Sequence, residues 1–240
     1  MNREIRKVLI LVFAIGFCAK AIASDDDSIS ADRPGMVSGT HAVTPGNMYI
    51  EMGYHYSFSD ISKTSSLPLA NIRFGIIERV EMSVSWAGLH FSHDTDHTDF
   101  ALPALGGKYR IIMDKSFNLT LVGGVGLVEN DGYKAEPSLA LAWDYHLGDK
   151  FSLLGTHSSQ YTNNDFEFLN VLGFHYALFH KTGFFSEYYL AGINTDHMHH
   201  GVEYGFVYLL NNNLQVDIFG GHEFGHDIGH YLGCGIAKRF

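Results

Sequence analysis

An all-β fold, a single antiparallel up-and-down transmembrane barrel of about 12 strands, is predicted by three observations on this 240-residue chain. Short runs of strict apolar/polar alternation recur from residue 47 onward, the connections between them are alternately tight and long, and the last run ends on Phe240. Period-two alternation presents one face to an apolar medium and the other to a polar one. Short connections at one end and long ones at the other are the layout of a bacterial outer-membrane barrel.

The elements follow in chain order. Residues 1–23 read as an export signal: Arg3, Arg6 and Lys7 make a basic start, Val8 to Phe17 an apolar run, and Ala21-Ile22-Ala23 a small-x-small cleavage site. The run is too short to cross a bilayer as a helix. Phe17 stands where lipidation of Cys18 would need a small residue, so cleavage after Ala23 is expected. Cys234 is then a lone thiol, read as a small apolar filler. Losing Arg3, Arg6, Lys7, Lys20 and Glu4 takes the formal charge from −10 to −13, which argues against nucleic acid as a partner. Residues 24–46 do not alternate. Asp25-Asp26-Asp27 and then Asp32-Arg33-Pro34-Gly35 read as a periplasmic start and a turn, with a partial plug of the lumen as the sharper expectation.

The barrel is expected over 47–240. In 47–58, Met48, Ile50, Met52, Tyr54, Tyr56 and Phe58 share one face, opposite Glu51, Gly53, His55 and Ser57; runs 80–86 and 137–147 repeat the pattern. Strands are expected near 47–58, 66–76, 80–89, 101–112, 117–128, 136–147, 151–160, 166–177, 182–191, 201–210, 214–222 and 230–240. Tight turns around 77–79, 113–116, 148–150, 178–181 and 211–213 belong at the periplasmic end. Loops around 59–65, 90–100, 129–135, 161–165, 192–200 and 223–229 belong at the outer end.

A secreted β-sandwich or lipocalin-like barrel would also alternate, but with its apolar face turned inward. Even strand count, loop asymmetry and aromatics near strand ends (Tyr56, Trp86, Trp143, Tyr176, Tyr188 and Tyr208 among them) favour membrane. In the last strand Leu232, Cys234, Ile236 and Phe240 share a face, as expected of a strand read by the barrel-assembly machinery. Lys238 interrupts that face and would have to snorkel. The expected location is the bacterial outer membrane, in contact with lipid bilayer and lipopolysaccharide.

Several motifs together carry a family resemblance. Asp32-Arg33-Pro34-Gly35, Pro45-Gly46, Ile72-Arg73-Phe74-Gly75-Ile76 with Glu78-Arg79-Val80-Glu81, Gly106-Gly107-Lys108-Tyr109-Arg110, Pro137-Ser138-Leu139, Glu187-Tyr188-Tyr189 and Lys238-Arg239-Phe240 resemble the outer-membrane transporters tied to the MetA pathway of phenol degradation. The resemblance spans the whole mature chain. It implies a single-chain outer-membrane barrel with a transport role and no active-site residues; the abundance of histidine in this chain departs from the family and speaks against a phenolic substrate.

Three groups of residues invite chemistry. His222-Glu223-Phe224-Gly225-His226 spells H-E-x-x-H, but zinc chemistry needs both histidines on one helix face. Gly220, Gly221, Gly225 and Gly229 oppose a helix, Leu232 stands where the third histidine of a metzincin site would fall, and a downstream Glu ligand is absent. His157 and Ser159 fall on one strand face, with Asn170 placed to orient the imidazole. This arrangement resembles outer-membrane phospholipase A and the lipid A deacylases, where a histidine activates a serine, and it makes an acyl hydrolase the alternative function. Finally, nine of the 15 histidines fall in three outer loops or at their edges. His197, His199, His200, His222, His226 and His230 lie in or beside two of them, where a divalent transition metal could be captured. No cofactor is required.

The lumen is expected to be lined by Glu51, Arg73, Lys108, Arg110, Asp144, His146, Glu187, Glu203 and Asp217. Such a wall either filters small solutes or closes itself by internal pairing. The function expected is therefore passive passage of a small solute behind a His/Asp-rich outer mouth. A non-conducting structural barrel is the further alternative.

Overall fold

A computed structural model describes residues 28–129, 133–162, 165–193, 197–224 and 229–240. The expected signal segment 1–23, and His226 with it, lie outside the described residues. The strands are β1 (Met48–Ser59), β2 (Lys63–Ile77), β3 (Val80–Trp86), β4 (Leu89–Ser92), β5 (His97–Phe100), β6 (Ala104–Met113), β7 (Phe117–Glu129), β8 (Tyr133–His146), β9 (Phe151–Thr162), β10 (Asp165–Phe179), β11 (Thr182–Ile193), β12 (His197–Asn211), β13 (Leu214–Phe224) and β14 (Gly229–Arg239).

Every pairing between these strands is antiparallel. β1 bonds both β2 and β14, so β1–β3 and β6–β14 close into a ring of 12 strands with no free edge. Closure satisfies every ladder hydrogen bond without water, the condition for β-structure inside a bilayer. Phe240 completes the seam: its N–H donates to the Met48 carbonyl at 2.8 Å and its own carbonyl accepts from the Met48 N–H at 3.2 Å.

The region expected as a plain outer loop over 90–100 is instead a hairpin. β4 pairs Leu89–Ser92 with Leu67–Thr64 of β2 above the end of β3, and β5 pairs with β4. The pattern Leu89-His90-Phe91-Ser92 does alternate, but four residues are too few to separate a short strand from a polar loop. At the opposite end the turns are tight, and bulges at 75/77, 110/112, 177/179 and 209/211 sharpen the twist just before four of them.

Facing settles the choice between a soluble and a membrane barrel. The outward positions expose Met82 (56%), Leu139 (56%) and Ile218 (61%), while inward positions bury Arg73, Glu81, Thr120 and Glu187. A soluble barrel would reverse these. Trp86, Trp143 and Phe174 are likewise on outward positions, and Tyr161–Phe166 near the outer end and Phe151–Phe174 near the periplasmic end pair across strands, as in interfacial girdles. Lys238 also points outward, with its Nζ held 4.4 Å above the Phe240 ring. The charge is covered by an aromatic face.

Candidate functional site: the lumen and the segment inside it

Residues 28–47 run without regular structure inside the ring. Ile29 N–H donates to the Asn212 carbonyl in a periplasmic turn at 2.7 Å, and Gly46 bonds back to Gly75 at the foot of β2. Between these points the segment rises into the barrel and meets inward side chains from nine of the 12 ring strands, β1–β3, β6–β9, β11 and β13. An extended segment cannot satisfy its own backbone groups, so the wall satisfies them. Met36 and Val37 N–H both donate to Glu187 Oε2 (2.7 and 3.3 Å), Ser38 N–H to Thr156 Oγ1 (3.0 Å) and Val43 N–H to Glu81 Oε2 (2.8 Å). Thr120 Oγ1 donates to the Thr40 carbonyl at 2.6 Å, and Thr40 Oγ1 donates to Asp144.

Two ion clusters hold the segment. In the first, fully buried Arg73 grips Glu81 with Nε and Nη2 (2.9 and 2.8 Å) and reaches Glu51 and Asp32 with Nη1 (2.9 and 3.2 Å). Lys108 Nζ lies 2.5 Å from Asp32 Oδ1 and 2.8 Å from the Gly39 carbonyl. Burial of five charges is tolerable only because each has an opposite neighbour. In the second, Arg33 forms a two-point pair with Asp217 (3.0 and 3.1 Å) and lies over Phe219. Arg33 passes so close to the wall that a Cβ on Gly53 or Gly235 would fall 2.0 or 2.1 Å from its guanidinium, and these two glycines face each other across β1 and β14.

Within the luminal segment, burial pushes the Asp32 carboxyl up, but Arg73 and Lys108 outweigh it and hold the group below the usual carboxylate value. Burial holds the His41 imidazole below its usual value, reinforced by Arg110, Arg73 and Lys108.

The luminal segment divides the interior. Above it, a cavity of about 360 Å³ is walled by Ser83, Ser85, Gly124, Ser138 and Gln160, with Asp32 and Lys108 in its floor, and no aromatic side chain lines it. On the periplasmic side, a cavity of about 410 Å³ lies against β9–β13, among Leu154, His175, Phe185 and Gln215. The rest of the β1/β11–β14 wall is filled by His55, Tyr231, Phe219 and Tyr189, with His55 5.3 Å from Tyr231 and 6.2 Å from Phe219.

All nine lumen residues singled out from the sequence occupy inward positions. Glu51, Arg73, Lys108, Asp144, Glu187 and Asp217 contact the luminal segment. Glu203 stands opposite Glu187 in the β11–β12 register. Arg110 donates to Asn118 (3.2 Å), and His146 lies 3.0 Å from Asp144 and 2.7 Å from Ser152. Sequence reasoning missed Asp32, Arg33 and Glu81 as members of the clusters. Glu81 was legible as the polar phase of an alternating strand, whereas nothing local to Asp32 or Arg33 shows which strand each meets.

Of the histidines gathered by the loop layout, His199, His200, His222 and His230 do not converge on one point. His199 occupies an inward position of β12 and His200 an outward one; His199 approaches Glu223 at 3.9 Å, while His200 meets Tyr188 OH at 3.2 Å. His222 and His230 face outward together, Nδ1 to Nδ1 3.2 Å, on a strand pair where a one-residue step reverses the side. Among the described residues no three His, Cys, Asp or Glu side chains are placed to hold a metal ion. H-E-x-x-H begins in extended β13, with His222 and Glu223 on opposite faces, so the helical geometry of zinc chemistry is absent there. His157 and Ser159 face outward rather than into the lumen, with His157 Nδ1 2.8 Å from Asn170 Oδ1.

A closed 12-stranded ring, apolar outside and charged within, defines a β-barrel of the bacterial outer membrane. The chain belongs to the family described as "Putative MetA-pathway of phenol degradation", whose model matches residues 31–227. No curated protein matches it. Among solved structures it is similar to an outer membrane channel from Pseudomonas putida F1 (TM-score 0.61, 10% identity, 92% of this chain and 100% of that one). It is also similar to the NanC porin (0.61, 8%, 79% and 98%) and to the KdgM porin in complex with disordered oligogalacturonate (0.54, 11%, 79% and 99%). At these identities the likeness is one of fold.

Proposed function

We propose that the protein is a passive channel for small polar solutes, with the luminal segment as its constriction. The observation that carries this reading is the hydroxyl- and amide-lined cavity that ends on the Asp32–Arg73–Lys108 cluster. Solute descends the β2–β9 side, where small side chains leave room, and must pass or displace residues 32–43 to reach the lower cavity. Mixed charge at the floor selects by field and hydrogen bonding, not by turnover. The outer approach carries His90, His97, Asp99 and Glu223, an acidic and imidazole-bearing rim that favours cations. Lipid and lipopolysaccharide are the partners of the outer wall, and the barrel-assembly machinery is the reader of β14.

Single-channel recording in planar bilayers tests this. Purified protein is expected to give small, discrete conductance steps, and a variant lacking residues 28–46 larger ones. Silence from both forms across salts and small polyols would reduce the protein to a structural barrel.

A further inference from the structure

The outward wall of β9 and β10 should be uniformly apolar, since each outward position there faces hydrocarbon. Most of it is: Leu153, Tyr161, Phe166, Leu172 and Tyr176 are all exposed. Three adjacent outward positions break the rule. His157 and Asn170 are direct cross-strand partners, and Ser159 is the next outward residue above His157. Their inward neighbours Thr156 and Ser158 face the lumen, Thr156 accepting from the Ser38 N–H. Leu141 and Leu139 flank His157 and Ser159 on β8, so the polar group is an island in an apolar surface.

Depth gives the island a chemical setting. Tyr161 and Phe166, with ring centroids 5.1 Å apart, mark the outer girdle. Ser159 is one outward step below Tyr161 and His157 two, or about 5 and 10 Å in depth for a tilted strand. The interfacial layer that holds the lipid esters is about 5–7 Å deep on each side, so Ser159 lies at its lower boundary and His157 one step inside the hydrocarbon. Polar side chains at lipid-facing depth are costly and mark functional sites.

We infer that His157, Ser159 and Asn170 form an ester-cleaving site on the lipid-facing wall, with acyl esters of membrane lipids as substrates. This site is independent of the channel. Asn170 Oδ1 accepts from His157 Nδ1, which leaves Nε2 as the basic nitrogen. Nε2 takes the Ser159 proton as Oγ bonds to the acyl carbon; the ester C–O bond breaks, and the leaving alcohol takes that proton. Water then gives a proton to Nε2 as its oxygen bonds to the acyl carbon; the acyl carbon–Oγ bond breaks, Oγ takes that proton back from Nε2, and the fatty acid leaves with Ser159 restored. Asn170 is a positioning residue.

The test uses the full chain in phospholipid–detergent mixed micelles, with a fluorophosphonate probe and fatty-acid release as readouts and heat-modifiable gel migration to confirm folding. Wild type is expected to label and to release fatty acid. Ser159→Ala should do neither, and His157→Ala should label on the order of 100-fold more slowly. Asn170→Ala should shift the pH dependence of labelling, and Asn170→Asp should restore it. Labelling or release no greater in wild type than in folded Ser159→Ala overturns the inference.

Discussion

The two sides of the lumen differ in what fills them. On the β2–β9 side the inward positions are small, Ser83, Ser85, Gly124 and Ser138, and a cavity of about 360 Å³ remains. On the β1/β11–β14 side, away from the lower cavity, His55, Phe219, Tyr189 and Tyr231 reach across inward glycines, and rings meet across strands. The same backbone ring thus carries an open polar path and a packed aromatic buttress, and the luminal segment is pinned to both. Side-chain volume, not barrel diameter, sets where a solute fits.

Removing the pinned segment is the strongest way to break this asymmetry. Deletion of residues 28–46 is expected to raise single-channel conductance severalfold, read in planar bilayers, because both cavities then join. Next in size is Arg73→Ala, which strands Glu51, Glu81 and Asp32 in a buried site. Unfolding by denaturant in micelles should show a loss of about 3–5 kcal/mol, together with larger conductance steps than wild type.

Acidification should act more gently, through His41. A base whose pKa is lower when seated binds its proton more readily when released. Seating is therefore fully favoured above the ordinary imidazole value of about 6.5 and weakens as pH falls below it. Asp32 acts only lower. Its depressed carboxyl supports seating above the ordinary value of about 3.9, and that support is lost as pH falls through the seated value. Channel openings should become more frequent between about pH 7.5 and about pH 5.5, and His41→Gln should flatten that trend.

The smallest effects separate the two sides directly. Gly126→Leu lines the open path, where a Cβ meets nothing nearer than 3.9 Å, and should narrow conductance without changing stability. Gly235→Leu on the packed side displaces Arg33 from Asp217 and should destabilise the seated segment, read as more frequent openings. Equal responses from the two variants would erase the distinction between path and buttress.

Much of the barrel was legible beforehand because a strand repeats every two residues and a lipid-facing strand must obey that period. Glu51 and Arg73 announced themselves as the polar phase of such runs. The β4–β5 hairpin did not, since four residues hold too little periodic signal. The outer histidines were legible as loop residues but not as a site: whether His199 and His200 share a side depends on strand register at the rim, and they do not.

By itself the sequence determined the 12 strands of the ring, the tight turns at one end, the longer loops at the other and the polar inner face, all consequences of local alternation and turn chemistry. Only the tertiary structure decided that the apolar face points outward, that residues 28–47 lie in the lumen, and that Asp32 meets Arg73 and Lys108 while Arg33, its neighbour in sequence, meets Asp217. Those pairings join residues up to 184 positions apart. An irregular segment has no period from which to read its partners, so closure of the ring around it had to choose them.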